Sequence, residues 1–385
     1  MAFEFHETPI EELCIKVTSG LTPLRSRSDF YENGAIHWYK TGELNDWYLD
    51  PAQERISEKA LQQTSIKLFP ADTVLMAMYG DGKTITSMGM LRSAAATNQA
   101  CAAMIVNPEK CHPRYFFYAL KSRRDLLLKV ASGGAQRNLS GKLMKEFRLP
   151  VPPLPVQQRI AGILSTYDEL IENSQRRIKI LEAMARGLYR EWFVHFRFPG
   201  HENHPFVPSA LGEIPEGWEI RKFGDVAVLN YGKALKKEDR RDGDFPVFGS
   251  SGIVGTHDTS LVKGPGIIVG RKGNVGSVFW CDDDYFVIDT AYFVTSSLPL
   301  RFLFYVLPTM NFINSDAAVP GLSRNQAYTL EILAPPNTLV DRFCELADTF
   351  ERQAATLQRL VRNLRRTRDL LLPRLLSGQI EVEAA

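Results

Sequence analysis

The sequence lacks the residue patterns that would hold a metal ion or close a disulfide framework. No CxxC pair occurs, and the seven histidines show no HExxH spacing. The cysteines are odd in number and widely spaced: Cys14, Cys101, Cys111, Cys281 and Cys344. We therefore predict no metal site, and reduced thiols in a cytoplasmic protein.

Long apolar runs and a strong charge of one sign are also missing. No apolar run approaches the roughly 18 residues that a membrane-spanning helix needs. The N-terminal MAFEFHETPIEEL is acidic and does not resemble a secretory signal. The net charge of +2 argues neither for nor against nucleic acid. We expect no membrane partner, and charge must be judged by its distribution.

Motifs of nucleotide and metal chemistry are incomplete. Gly82-Lys83-Thr84 imitates the end of a phosphate-binding loop, but Ala77 stands where its first glycine belongs. The glycines from Gly264 to Gly270 lead into a strand-like run rather than a helix, which argues against a dinucleotide site. A hairpin turn is the better interpretation of Asp282-Asp283-Asp284 than a metal site.

What the sequence does contain is one long helical pattern that occurs twice. Apolar residues alternate at steps of four and three from Val156 to Phe193 and again from Leu339 to Leu376, with every position shifted by 183. Ser174 and Arg368 are the polar exceptions. The predicted helix seam comprises Ile160, Leu164, Tyr167, Ile171, Ile178, Leu181, Leu188, Trp192, Phe343, Phe350, Leu357, Val361, Leu364, Arg368, Leu371 and Leu375.

A globular, turn-rich segment precedes each helix, and proline pairs mark the boundaries. Leu139-Ser140 and Pro152-Pro153 recur as Leu322-Ser323 and Pro335-Pro336 at the same shift. The predicted domains are residues 1–150, helical spacer 151–198, residues 199–334 and helical spacer 335–385. The predicted fold class is α+β, with two pseudo-repeated mixed α/β domains separated by an antiparallel coiled coil of two long helices.

The seam needs a partner, and the chain order makes the two helices antiparallel. Each would span roughly 50 Å. With aligned midpoints, Arg368 falls opposite Tyr167 and Ser174 opposite Val361. Two related domains on a spacer suit a linear periodic partner such as DNA, whose half-sites lie about 34–36 Å apart when centred one turn apart.

The sequence resembles the specificity subunits of type I restriction–modification systems along nearly its whole length. The resemblance rests on LPVPPLPVQQRIAGILSTYDELIENSQRRIKILEAMARGLYREWF at 149–193, on the stretch 332–380 that ends in LLPRLLSGQI, and on GWEIRKFGDVAVLNYGK. It implies two target recognition domains, each reading one half of a bipartite site in double-stranded DNA. It also implies that the helices set the spacer.

The resemblance further implies partners rather than catalysis. Two modification subunits would bind S-adenosylmethionine and methylate adenine, and restriction (translocase) subunits would join them. This chain would have no catalytic residues and no cofactor. Consistent with that, neither Pro152-Pro153 nor Pro335-Pro336 has the flanking residues of the Asn/Asp-Pro-Pro-aromatic loop of adenine methyltransferases.

DNA contacts are expected from polar residues on loops of both domains, because Lys and Arg bind phosphates while Arg, Lys, Asn and Gln read base edges. The candidates are Lys40, Thr41, Tyr79, Lys83, Arg137 and Asn138 in the first domain and Ser250, Ser251, Arg271, Lys272, Asn274 and Arg324 in the second. Two alternatives stay open: a coiled-coil scaffold for two ligand-binding domains without DNA binding, and an enzyme fused to a helical arm.

Overall fold

The structure is a computed structural model that describes residues 4–80, 84–131, 137–312 and 321–382. It divides into two compact units. Unit 1 comprises residues 1–175 and 359–385, and unit 2 comprises residues 176–358. Each of the two long helices begins in one unit and ends in the other. The predicted boundaries of separate helical spacers therefore stay a prediction.

Unit 1 begins with short strands and helices that lead into the first long helix. Its helices are α1 Ile10–Leu13, α2 Glu58–Gln63, α3 Pro113–Ser122, α4 Arg124–Val130, α5 Gly141–Glu146 and the start of α6 Leu154–Tyr189. Its strands are β1 His6–Pro9, β2 Cys14–Ser19, β3 Ile36–Tyr39, β4 Glu54–Ile56, β5 Val74–Ala77, β6 Tyr79–Gly80, β7 Met88–Met90, β8 Ala96–Thr97, β9 Cys101–Val106, β10 Arg137–Asn138 and β11 Arg148–Val151.

Unit 2 continues from α6 through a π-helical turn at Arg190–Val194 and ends within the second long helix. Its other helices are α7 Phe223–Val226, α8 Leu300–Val306, α9 Arg324–Thr329 and α10 Asn337–Leu376. Its strands are β12 Phe206–Ser209, β13 Gly212–Pro215, β14 Glu219–Lys222, β15 Ala227–Tyr231, β16 Phe245–Gly249, β17 Gly252–His257, β18 Gly266–Gly270, β19 Val278–Cys281, β20 Phe286–Val287, β21 Ala291–Ser296 and β22 Glu331–Ala334.

Both units have the same sheet topology. A four-stranded antiparallel sheet has the order β2-β9-β5-β7 in unit 1 and β15-β21-β18-β19 in unit 2. A three-stranded sheet follows the same rule, as β4-β3-β8 and β17-β16-β20. One further ladder pairs β1 with β11 and β14 with β22 ahead of each long helix. The predicted α+β class with two repeated mixed domains and two long helices is confirmed.

The short motifs repeated at the shift of 183 have structural roles. Ser140 and Ser323 cap α5 and α9, and their side chains accept bonds from the backbone N–H groups of Leu143 and Gln326 at 3.2 and 3.5 Å. The prolines precede the long helices: the Pro153 carbonyl accepts the first bond of α6 from Val156, at 2.9 Å. Sequence identity between the halves therefore persists where the backbone must be started or capped.

In unit 1, the first part of α6 runs antiparallel to the last part of α10. Ile160 and Leu164 share one core with Leu372 and Leu375. Further along, Arg368 donates to Asp168, whose other oxygen accepts the Tyr118 hydroxyl of α3 at 2.6 Å. The predicted pairing of Arg368 with Tyr167 is wrong, because the guanidinium reaches the neighbouring carboxylate, a stronger partner than a ring.

In unit 2, aromatic side chains join the helices. Phe343 of α10 is fully buried, and its ring lies 5.1 Å from Phe193 and 5.5 Å from Tyr305. Tyr189 and Phe302 pack against the same ring. Rings in edge-on contact stabilise each other beyond what the burial of their apolar area contributes. The helix-to-domain contact of unit 2 is therefore mainly hydrophobic.

None of the sixteen predicted seam residues is exposed. Ile160, Leu164, Ile171, Trp192, Phe343, Val361 and Leu375 are buried, and the others are half-buried. Ser174 and Val361 are both buried in unit 1. Outside the seam, the stretch from Pro113 to Val130 forms the two helices α3 and α4, and Val130 at its end is exposed.

Candidate nucleic-acid interface

The loop from Arg271 to Ser277 joins β18 to β19 at one end of the four-stranded sheet of unit 2. A Cβ atom on Gly270 would lie 2.1 Å from the Asn274 carbonyl, so only glycine lets the chain close here. Gly273 has a φ of +78°, which also favours glycine. The Arg271 N–H donates to the Thr290 carbonyl at 2.9 Å. Backbone bonds thus fix the point from which the side chains of this loop project.

Two arginines of this sheet end share one aromatic ring. The guanidinium carbon of Arg271 lies 4.8 Å from the ring centroid of Tyr231, and that of Arg324 lies 4.7 Å from the same centroid. Arg271 belongs to the β18–β19 loop, Tyr231 ends β15, and Arg324 begins α9. Three separate elements therefore converge. We call Tyr231, Arg271, Lys272 and Arg324 the sheet-end cluster.

The charges of the sheet-end cluster are not neutralised within the described part of the chain. Arg271 donates to the Asp289 backbone carbonyl at 3.2 Å and Arg324 to that of Leu229 at 3.4 Å. Neither guanidinium forms an ion pair with a described carboxylate. Carbonyl acceptors orient an arginine without cancelling its charge. The cluster is consequently a site of net positive charge, suited to an anion.

Tyr231 is half exposed, and the tyrosine beneath it is buried. The two rings lie 5.1 Å apart. Burial raises the pKa of the Tyr292 hydroxyl to about 12, helped by its hydrogen bond with Tyr231. The Tyr292 hydroxyl therefore stays protonated near neutral pH, and its ring is an uncharged support beneath Tyr231.

The remaining predicted residues of unit 2 lie near the same sheet end. Asn274 is exposed on the loop after Lys272. Ser250 and Ser251 form the turn between β16 and β17, and the Ser250 carbonyl accepts the Ser277 hydroxyl at 2.5 Å. That bond ties the two turns together. The structure thus places all six predicted residues of unit 2 in neighbouring turns or at the start of α9.

The predicted residues of unit 1 are less concentrated. Tyr79 and Asn138 face each other on the β6–β10 ladder, and both are exposed. Thr41 begins a short 3₁₀ helix, and Lys40 forms an ion pair with Glu54. Arg137 pairs with Gly80 through its backbone, but its side chain and all of Lys83 lie outside the described residues.

The two ladders show which positions of the units correspond. The Met78 N–H donates to the Ala100 carbonyl as that of Arg271 does to Thr290. Met78 therefore occupies the place of Arg271. By the same ladders Tyr79 corresponds to Lys272, Thr41 to Ser250, Gly141 to Arg324 and Ser19 to Tyr231. Among the residues that the structure describes, the sheet-end cluster therefore has no counterpart at these positions of unit 1.

Sequence reasoning missed Tyr231. A signal was present, because an aromatic residue stands before Gly232 and the basic run Lys233 to Arg241. A Cβ on Gly232 would lie 2.2 Å from the Ile288 carbonyl, so only glycine lets the chain pass this close to the Ile288 backbone. What could not be deduced is that the strand pairing brings Tyr231 under two arginines from distant parts of the sequence.

Other ligand chemistry finds little support. Among the described residues, no group of three or more His, Cys, Asp or Glu side chains could hold a metal ion. Asp282, in the predicted hairpin turn, accepts the Trp280 indole N–H at 2.7 Å. No described helix combines the length and the apolar composition needed to cross a bilayer.

Comparison with known proteins adds family information. The family model of the type I restriction modification DNA specificity domain matches residues 4–183 and 215–333. The MjaIX type I restriction enzyme specificity subunit of Methanocaldococcus jannaschii is 25% identical, covering 96% of this chain and 92% of that protein. The EcoprrI type I specificity subunit of Escherichia coli is 23% identical over 82% of this chain and 80% of its own.

A solved structure shares the fold. The crystal structure of the type I restriction-modification S subunit from M. genitalium superposes with a TM-score of 0.64 at 17% identity. The match covers 97% of this chain and 96% of that one.

Proposed function

The chain belongs to the type I restriction modification DNA specificity family, and on this premise we propose that it is the non-catalytic DNA-recognition subunit of such an enzyme. Each unit reads one half of a bipartite site in duplex DNA. The long helices set the distance between the halves and dock two modification subunits. Those subunits bind S-adenosylmethionine, and restriction subunits complete the assembly in the cytoplasm.

The sheet-end cluster is the observation that carries this proposal. Two arginines without a described carboxylate partner converge on a half-exposed ring, and Lys272 and the exposed Asn274 follow in the same loop. Arg and Lys supply affinity through phosphates, and Arg and Asn can read base edges. A scaffold without a DNA ligand gives no reason to gather uncompensated cations on one sheet end.

Repetition supports the bipartite part of the proposal. Two units with one topology can present two related surfaces to one duplex. Because their surface residues differ, as Arg271 and Met78 do, the two half-sites should differ in sequence. Mapping methylated adenines in the source genome, with and without this chain, should reveal one asymmetric bipartite motif.

DNA binding is tested with the chain in complex with its modification subunit. Binding of the mapped duplex should weaken steeply with salt, because phosphate contacts release counterions. Arg271→Ala should weaken binding by about tenfold. Glu182→Ala, which removes a half-buried helix charge paired with Arg186 at 3.9 Å, is the control and should leave affinity unchanged. Equal affinity of the two variants, or equal binding to all duplexes, would refute the proposal and favour a scaffold for other ligands.

A further inference from the structure

From the sheet-end cluster we infer that Tyr231 is a positioning residue that holds Arg271 and Arg324 together as a clamp for DNA phosphate, present in unit 2 alone. The inference rests on the proposed function. Tyr231 acts on the DNA only through Arg271 and Arg324. Its presence makes the two recognition units chemically unequal.

The two arginines lie over the same tyrosine ring. An arginine over a tyrosine ring within about 6 Å of its centroid is attracted by the electron-rich face. Tyr231 has two such arginines, at 4.8 and 4.7 Å. Arginine side chains lose much rotational freedom when they bind a ligand. A ring that already holds both guanidiniums reduces that loss.

The Tyr231 ring is itself supported by its neighbours in the sheet. The Tyr231 backbone pairs with Tyr292 on β21, and the two rings are 5.1 Å apart. The Tyr292 hydroxyl donates to the Leu322 carbonyl at 3.2 Å, next to the cap of α9. Arg271 also lies 5.7 Å from the Tyr292 centroid. The platform is therefore anchored in the sheet and linked to the helix that carries Arg324.

The arrangement of the positive charges favours a phosphate as the ligand over a base edge. One arginine suffices to read a guanine edge, whereas two convergent guanidiniums with Lys272 beside them accumulate charge at one place. Like charges so arranged repel each other until an anion binds between them. Phosphate is the anion that duplex DNA presents at every nucleotide.

The corresponding positions of unit 1 carry different residue types. Ser19, Met78 and Gly141 stand where unit 2 has Tyr231, Arg271 and Arg324. No ring and no guanidinium occupy those positions. The described residues of unit 1 therefore form no clamp of this construction at the corresponding place, and we expect that unit to hold its half-site by other contacts.

The experiment is a double-mutant cycle on the complete complex with the modification subunit, using the mapped duplex at several salt concentrations. Arg271→Ala and Arg324→Ala should each lower the slope of log affinity against log salt by about one. Tyr231→Leu should weaken binding about tenfold, whereas Tyr231→Phe, which keeps the ring, should stay near the wild type. In the Tyr231→Leu background, Arg271→Ala should cost much less than in the wild type.

Controls separate positioning from folding. Val228→Ala removes another exposed side chain of β15, and Ser19→Ala alters the corresponding place in unit 1. Both should bind like the wild type. The unfolding midpoint of every variant should match the wild type, because Tyr231 is half exposed.

The outcomes distinguish the two claims. Loss of discrimination at one base pair, with an unchanged salt slope, would show base reading and overturn the phosphate clamp. Additive effects of Tyr231→Leu and Arg271→Ala, or a Tyr231→Phe variant as weak as Tyr231→Leu, would overturn the positioning role. If the wild-type complex binds duplexes without salt dependence or sequence preference, the proposed function itself fails.

Discussion

Where unit 1 places Arg368 against Asp168, unit 2 has Ala185 in the position corresponding to Arg368 and Glu351 in that corresponding to Asp168. The tyrosine contact persists in both: Tyr118 donates to Asp168 at 2.6 Å, and Tyr305 donates to Glu351 at 2.5 Å. At this position only unit 1 has a cation, while unit 2 packs rings around Phe343. Unit 2 places its buried cation elsewhere, because Arg301 of α8 pairs with Asp348 of α10 at 2.6 Å. The two units therefore make the same helix-to-domain contact with differently placed ion pairs and rings.

The difference has electrostatic consequences in unit 1. Burial, and then the Asp168 charge, raises the pKa of the Tyr118 hydroxyl far above its usual range. Burial, and then the nearby Arg368, lowers the pKa of Lys121. Asp168 is 3% exposed as a side chain and Arg368 11%. Removing Arg368 strands the buried Asp168 carboxylate, whereas removing Asp168 leaves Arg368 paired with Asp369 at 2.7 Å.

The largest effect should come from the aromatic core. We expect Phe343→Ala to lower the free energy of unfolding by about 4 kcal/mol, because a fully buried ring leaves a cavity among five others. Hydrogen exchange during urea unfolding should show the loss in peptides of unit 2. The exposed Leu346→Ala on the same helix should change stability by less than about 0.5 kcal/mol. Equal losses for the two variants would contradict the aromatic contact.

Breaking the ion pair should come next. Arg368→Met should cost about 3 kcal/mol, because the Asp168 carboxylate stays buried with only the Tyr118 hydroxyl as a described partner. The loss should appear in peptides of unit 1. Adding Asp168→Asn removes the stranded charge and should restore part of the stability. A double variant that loses the sum of both single effects would argue against the buried pair.

A smaller effect separates the two tyrosine contacts. Tyr118→Phe should cost about 2 kcal/mol, since the hydroxyl serves a buried carboxylate. Tyr305→Phe should cost about 1 kcal/mol, since Glu351 is only half-buried and water can replace the bond. Chemical denaturation of both variants measures the difference. The reverse order would show that burial of the acceptor does not govern these bonds.

The smallest effects belong to exposed ion pairs at i, i+4 spacing. Lys142 and Glu146 in unit 1 are 3.8 Å apart, and Arg186 and Glu182 in unit 2 are 3.9 Å apart. Lys142→Ala and Arg186→Ala should each change the free energy of unfolding by less than about 0.5 kcal/mol, because water screens both pairs. A larger loss from Arg186→Ala would indicate a role for this side chain near Tyr305.

The repeat in the sequence predicted the helices well because helix seams obey one period. The expected stretches, from Val156 to Phe193 and from Leu339 to Leu376, agree with α6, its π-helical turn and α10 to within two residues at each end. The partner of Arg368 was missed by one residue. A seam pattern predicts which residues of two helices face each other. It does not predict that Asp168 is buried against Tyr118, because Tyr118 belongs to a third helix, α3.

The candidate interface was predicted in part. Arg271, Lys272, Asn274, Ser250 and Arg324 were chosen as polar loop residues, and the strand ladders bring them to one sheet end. Tyr231 was not predicted, because its position depends on how β15 pairs with β21, and no local sequence pattern specifies that pairing. In unit 1, Ala100 takes the place of Thr290, because its carbonyl accepts the Met78 N–H as that of Thr290 accepts the Arg271 N–H.

The division of the chain into units has a consequence for its synthesis. Unit 2 is continuous, from Arg176 to Gln358, whereas unit 1 needs residues from both sides of it. Leu372, Leu375 and Leu376 complete the core that Ile160 and Leu164 begin. A ribosome adds about 5–20 residues per second, so unit 1 waits for roughly 200 further residues, some 10–40 s, before its core can close. A nonsense mutation shortly after Gln358 would therefore damage the half of the protein that was translated first.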